Sequence, residues 1–268
     1  MDKTIIYKEK INSVDPRLKR SINHDSRSKL YTFNTARLVI TSTVHPRHIP
    51  ILDQGRVGSC TGNAGIGALA TDPFYKSVSN NIIYPLNETG AVHLYSDAEV
   101  IDGSGPYPPN DNGSCGLSIA KALKNAGLIS GYQHTFTLDD ALKALTVTPI
   151  IVGMYWYEGM MHPDVDGRIH PTGNILGGHE VVARQIDAPH QRVWFDNSWG
   201  NSWGVQGRFY LTFDDLGSLL SQQGDVMVFV PNTEPSPRPS TTTTTTTKPN
   251  PDTILAAAMK AWIQTKGL

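Results

Sequence analysis

Hydrophobic positions change their spacing about halfway along the chain. Residues 60–70 form an apolar run of small side chains ended by Asp72-Pro73, which predicts a buried helix. Its glycines each cost about 1 kcal/mol relative to alanine, and close packing of the helix is what makes them fit. Residues 92–101 predict a second helix. Ile119, Leu123 and Ala126 give a third, over 118–126, an apolar face, with Gly127 as its stop. Thr137-Leu138-Asp139-Asp140 has the form of a capping box and opens a fourth helix that runs through Leu145. Beyond it the pattern turns to short β-branched or aromatic runs separated by Gly, Pro and Asp. The runs 149–157, 178–185, 192–196, 208–213 and 225–230 read as strands. Helices first and strands second predict an α+β fold with two lobes.

Both flanks depart from this pattern. Residues 1–43 are polar and charged and read as an extended arm, with 38–40 as a short strand docking on the body; a structural role is favoured over an inhibitory one. Residues 44–230 form the globular domain. Residues 231–251 are rich in Pro and Thr, with an unbroken threonine run at 241–247, and predict an extended linker. Residues 252–268 carry an N-capping Asp252, an apolar stripe of Ile254, Leu255, Ala258, Met259, Trp262 and Ile263, and Gly267 as a stop. A helix this short is marginal alone, so it predicts docking on another protein, through self-association or on a larger particle.

The 268 residues are 39% hydrophobic and 18% charged, ordinary for a globular protein, and the net charge of −1 gives no reason to expect nucleic acid. No apolar run approaches the ~20 residues that span a bilayer. The start lacks the features of a signal peptide, so synthesis in the cytoplasm is expected. Two cysteines cannot build a disulfide framework, and the histidines lack the paired spacing of a zinc site, so neither metal nor cofactor is expected.

Against that background Cys60 stands out. It sits where the loop Asp53–Ser59 enters the first helix, and a helix N-terminus stabilises a thiolate through unpaired N–H groups and partial positive charge. Far downstream, His179 opens one strand-like run and Asn197 ends another, in a turn rich in Trp and Gly. A nucleophile, a base and a residue that fixes the base's tautomer make up the minimum set for acyl transfer.

The residues Gln54-Gly55-x-x-Gly58-Ser59-Cys60 and Asn197-Ser198-Trp199-Gly200-x-x-Trp203-Gly204-x-x-Gly207 resemble two motifs of the papain-like cysteine peptidases, in particular the family's bacterial and phage-borne branch. The resemblance covers roughly residues 44–230. It implies a papain-like fold, with a helical lobe, a β-barrel-like lobe and the active site in the cleft between them. It implies Cys60 as nucleophile, His179 as base and then acid, Asn197 as its orienter, and Gln54 as an oxyanion-hole donor beside the Cys60 N–H. Trp199 would shield the His179–Asn197 contact. Gly113, Ser114, Gly178 and Trp199 would line the substrate cleft, and Cys115 would lie near the wall of the second subsite or serve only for packing. The positions of a disulfide common in secreted members fall on Val57 and Asp111, so both halves are missing together. Thr61, Gly178 and Glu180 depart from the residues usual in the family.

The resemblance implies a cysteine endopeptidase acting on a peptide or protein substrate through an acyl-enzyme. Its thiolate–imidazolium pair would have a cysteine pKa of roughly 3–4 and activity from mildly acidic to neutral pH. The short arm, unlike the long helical propeptide of family zymogens, predicts activity as synthesised. Two alternatives are a catalytically idle module of a virion or other assembly, and a cell-wall peptide hydrolase or transpeptidase using the same triad.

Overall fold

The structure is a computed structural model and describes residues 6–11, 13–25 and 38–232. The greater part of the linker and the C-terminal helix expected over 231–268 therefore lies outside the described residues. Its centre is a seven-stranded sheet in the order β4 (Gly131–Thr135), β9 (Asp225–Val230), β5 (Ile150–Tyr157), β6 (Ile175–Asp187), β7 (Arg192–Asp196) and β8 (Arg208–Thr212), with β3 (Thr43–Val44) added to β6. The sheet is open, with β4 and β8 at its ends, rather than closed into a barrel.

Alternation along the central strands gives this sheet two buried faces. Ile150, Val152, Met154, Val181, Ala183, Val226 and Val228 join one core with α5 (Leu138–Leu145) and α6 (Phe213–Ser221). Ile151, Val182, Met227 and Phe229 join a second core with α1 (Cys60–Leu69), α3 (Glu88–Ile101) and α4 (Gly116–Asn125). A four-residue helix, α2 (Tyr75–Val78), completes that side.

The small residues of α1 serve the close packing that their sequence predicts. A Cβ at Gly65 would lie 2.7 Å from Ile119 on α4, and one at Gly67 would lie 2.9 Å from Val182 on β6. The helix ends that the sequence marks are also present. Thr137 accepts the Asp140 N–H at 3.2 Å, and Gly127 stops α4 with a φ of 71°.

Two expectations need correction. Residues 38–40 form no strand; β3 lies at 43–44, and Leu38 and Ile40 pack on the core as irregular chain. The predicted strand 208–213 ends at Thr212, whose side chain caps α6 by accepting the Asp215 N–H at 3.1 Å. The arm is also more than an appendage. Its strands β1 (Ile6–Glu9) and β2 (Ile22–Asp25) pair with each other, and the segment between them, from Ser13 to Ser21, crosses the body at the start of β6.

Candidate active site

The nucleophile loop is held by polar contacts that its own sequence supplies. Ser59 donates to Asn63 at 2.9 Å, Asn63 donates to Glu88 at 3.0 Å, and the Glu88 carboxylate in turn accepts the Asp53 N–H. This places Cys60 as the first residue of α1. The loop is then stitched to the Asn197 turn: the Gln54 N–H donates to the Ser198 carbonyl at 2.9 Å, and the Ser198 hydroxyl donates to Gln54 Oε1 at 2.6 Å. Gly200, Gly204 and Gly207 have φ of 73°, 59° and 79°, a left-handed backbone that explains the glycine spacing of this turn.

His179 lies on β6 opposite Met154, and its Nε2 is 2.7 Å from Asn197 Oδ1. The same Oδ1 accepts the Ser198 N–H at 2.8 Å, which identifies that atom as the amide oxygen. Nε2 must therefore carry the hydrogen, leaving Nδ1 as the basic nitrogen; it makes no hydrogen bond. Trp199 covers the pair with its ring centroid 5.0 Å from that of His179, and Trp156, which sequence reasoning did not single out, packs edge-on from the other side at 4.8 Å. His179, Asn197 and Gln54 are thus joined through Ser198, and Cys60 lies beside Glu180, the residue that follows His179; all four are buried.

They are buried because the arm lies over them. Arg17 stacks its guanidinium on Trp199 at 4.2 Å, and its carbonyl accepts from Gln54 Nε2 at 3.3 Å, the donor expected to face an oxyanion. The Leu18 carbonyl accepts the Gly178 N–H at 3.3 Å, the Arg20 N–H donates to the Gly178 carbonyl at 3.0 Å, and the Ser21 N–H donates to the Ser114 carbonyl at 2.8 Å. Gly113, at φ 78°, packs against Lys19, whose ammonium pairs with Asp111 at 2.9 Å. Gly113, Ser114, Gly178 and Trp199, the four residues expected to line the substrate cleft, all contact the arm. Asp111 also accepts the Gly58 N–H at 3.1 Å and the Tyr95 hydroxyl at 2.8 Å, so hydrogen bonds join the loops at Val57 and Asp111. Cys115 is a buried, free thiol at the N-terminus of α4.

This cover reverses the expected ionisation. Burial, and then the Glu180 carboxylate, push the Cys60 thiol up to about 12, and burial lowers His179 to about 4 against the hydrogen bond that it donates to Asn197. Arg17 also opposes the charge on His179 and Asp15 favours it. The covered site holds a neutral thiol and a neutral imidazole in place of the expected ion pair, because neither charge reaches water.

A consequence can be measured. An unfolded histidine takes up its proton near pH 6.5, whereas folded His179 does so only near pH 4. Between these values the unfolded chain binds more protons, so this group withdraws stability as pH falls through the window. The melting midpoint of the wild type is expected to fall more steeply from about pH 6.5 to about pH 4 than that of His179→Gln; parallel curves would contradict this.

The comparisons with known proteins agree with the geometry. No family model matches the chain. An uncharacterized peptidase C1-like protein of Acanthamoeba polyphaga mimivirus is 24% identical over 211 residues, 63% of this chain and 66%, just under two thirds, of that protein's length. Among solved structures, xylellain, a cysteine protease from Xylella fastidiosa, superposes with a TM-score of 0.66 at 20% identity, over 85% of this chain and all of that one. The proform of a ragweed pollen cysteine protease allergen gives 0.54 at 16% identity over 76% and 70% of the two chains. A digestive procathepsin L of Tenebrio molitor gives 0.54 at 12% identity over 82% and 75%. The chain has the papain-like cysteine protease fold. Among the described residues no cluster of His, Cys, Asp and Glu is arranged to hold a metal ion, and no helix is long and apolar enough to cross a membrane.

Proposed function

We propose that the chain is a cysteine-type endopeptidase that cleaves peptide bonds by acyl transfer and is latent while its arm covers the site. Cys60 attacks the scissile carbonyl. Its proton passes to His179 Nδ1 and from there to the leaving amine; water then attacks the thioester, returning the thiol and releasing the acid. Gln54 Nε2 and the Cys60 N–H stabilise the oxyanion, and Asn197 holds the tautomer that leaves Nδ1 basic. The observation that carries this reading is the His179–Asn197 contact of 2.7 Å beside Cys60, with an arm carbonyl already on Gln54 Nε2. Once the arm has left, water and the paired charges restore the thiolate–imidazolium pair.

The test is labelling by an epoxide-type thiol inhibitor, read by intact mass, of the full chain carrying Lys19→Glu, which sets two carboxylates together at Asp111 and loosens the arm, alone and combined with Cys60→Ala or Cys115→Ala. One adduct is expected in Lys19→Glu and Lys19→Glu/Cys115→Ala and none in Lys19→Glu/Cys60→Ala. Equal reactivity of the two thiols would overturn the reading.

A further inference from the structure

Arg20 is the largest charged side chain buried among the described residues, with 1% of its surface exposed. It belongs to the arm, yet its guanidinium is sunk in the body. Nη2 donates to Asp225 Oδ1 at the start of β9, the terminal nitrogens face the Gln223 carbonyl at 3.4 and 3.5 Å, and Nε is 3.5 Å from Glu180 Oε2. The other oxygen of Asp225 is 2.7 Å from His134 Nε2. Two glycines make room for this arrangement. A Cβ on Gly153 would fall inside the guanidinium, and one on Gly116 would lie 2.6 Å from Glu180 Oε1.

This pocket is continuous with the catalytic residues. Glu180 follows His179 directly, and its backbone N–H faces the Cys60 sulfur. The backbone of Arg20 is held on Gly178, the residue before His179. When the arm leaves, Glu180 loses the guanidinium beside it and Asp225 keeps only its contact with His134, and a buried carboxylate that loses its cation is strongly unfavourable. An incoming chain laid along Gly178 and Ser114 meets that demand with a cationic side chain. Arginine fits it better than lysine, because its planar fork reaches Asp225, Gln223 and Glu180 at once.

We infer that Glu180, Asp225 and Gly153 form the specificity pocket of the enzyme and select a substrate arginine at one position beside the scissile bond, the place that Arg20 of the arm fills in the latent chain. The inference rests on the peptidase reading and adds its substrate class.

The test uses the full chain with Arg20→Ala, which empties the pocket, and peptides carrying Arg, Lys, Leu or Glu in turn at each position around a cleavable bond. Arginine at one position is expected to raise kcat/KM on the order of 100-fold over leucine there. In Arg20→Ala/Asp225→Asn, with the fold checked by circular dichroism, the preference for arginine should collapse to a few-fold. Should Arg20→Ala not fold, Lys19→Glu sets two carboxylates together at Asp111 and loosens the arm with the pocket chemistry intact, and the same peptides are compared. Hydrolysis with no arginine preference overturns the pocket and leaves the peptidase reading standing. No hydrolysis of any peptide, with Cys60 alkylated no faster than Cys115, defeats both.

Discussion

Replacing Cys60 by alanine in the arm-loosened Lys19→Glu chain is expected to slow peptide hydrolysis by roughly 10⁴-fold or more. The mechanism has no other nucleophile. Cys115, the only other thiol, is buried at the N-terminus of α4, with its sulfur 3.5 Å from the Ser118 hydroxyl and 3.8 Å from Asp102, away from His179. Alanine fits the site without strain, since α1 already packs through small residues, so the melting midpoint should change little. Steady-state assays of the two chains, with a melt of each, check both halves. A double variant that keeps a tenth or more of the Lys19→Glu activity would remove Cys60 from the chemistry.

The largest expected loss of stability lies one residue before Asn197. Asp196 ends β7 with 2% exposure, and three arginines converge on it: Arg184 Nε at 2.8 Å, Arg47 Nη1 at 3.2 Å and Arg208 Nε at 3.3 Å. These three come from β6, from the chain before α1 and from β8, so one carboxylate ties together the strands that present His179 and Asn197. Asp196→Ala strands three positive charges, two of them at most 14% exposed. Removing one partner of a buried pair costs about 3–5 kcal/mol. For a domain of this size that corresponds to a fall in melting midpoint of roughly 6–20 °C. A change of a degree or two would show that the arginines find other partners or water. The isosteric Asp196→Asn, which keeps hydrogen-bond acceptance, should fall between.

The candidate site residues were legible in the sequence because each sits in a local pattern with a mechanical reason. Cys60 needs a helix start behind a glycine loop, and Asn197 needs the left-handed glycines that return the chain after β7. The arm was not legible in the same way. Residues 13–21 have no periodicity, and their path is set by pairing with Gly178 and Ser114, more than ninety positions away along the chain. The expectation of a structural arm and of activity as synthesised came from the absence of a long helical propeptide; the covering role proposed above rests instead on the contacts of residues 17–21 with Gln54, Gly178 and Ser114.

Glu180 was visible as a departure from the family's small residue. Its partner Asp225 was read only as the start of a strand, so the acidic pocket emerged only when the fold brought β6 and β9 to either side of β5. The missed helix α6 had a signal of the kind recognised elsewhere: Thr212 and Asp215 repeat the spacing of Thr137 and Asp140, and Leu216, Leu219 and Leu220 follow at helical intervals. Gly217 within it weakened the pattern.

The central claim, a papain-like peptidase held latent by its own arm, is tested most directly by exposing a mixed peptide library to the full chain and to Lys19→Glu, with Lys19→Glu/Cys60→Ala as control. The account predicts internal cleavage products from Lys19→Glu, fewer from the wild type and none from the control. A folded Lys19→Glu chain that cleaves nothing, or a wild type that cleaves as fast as Lys19→Glu, would contradict it.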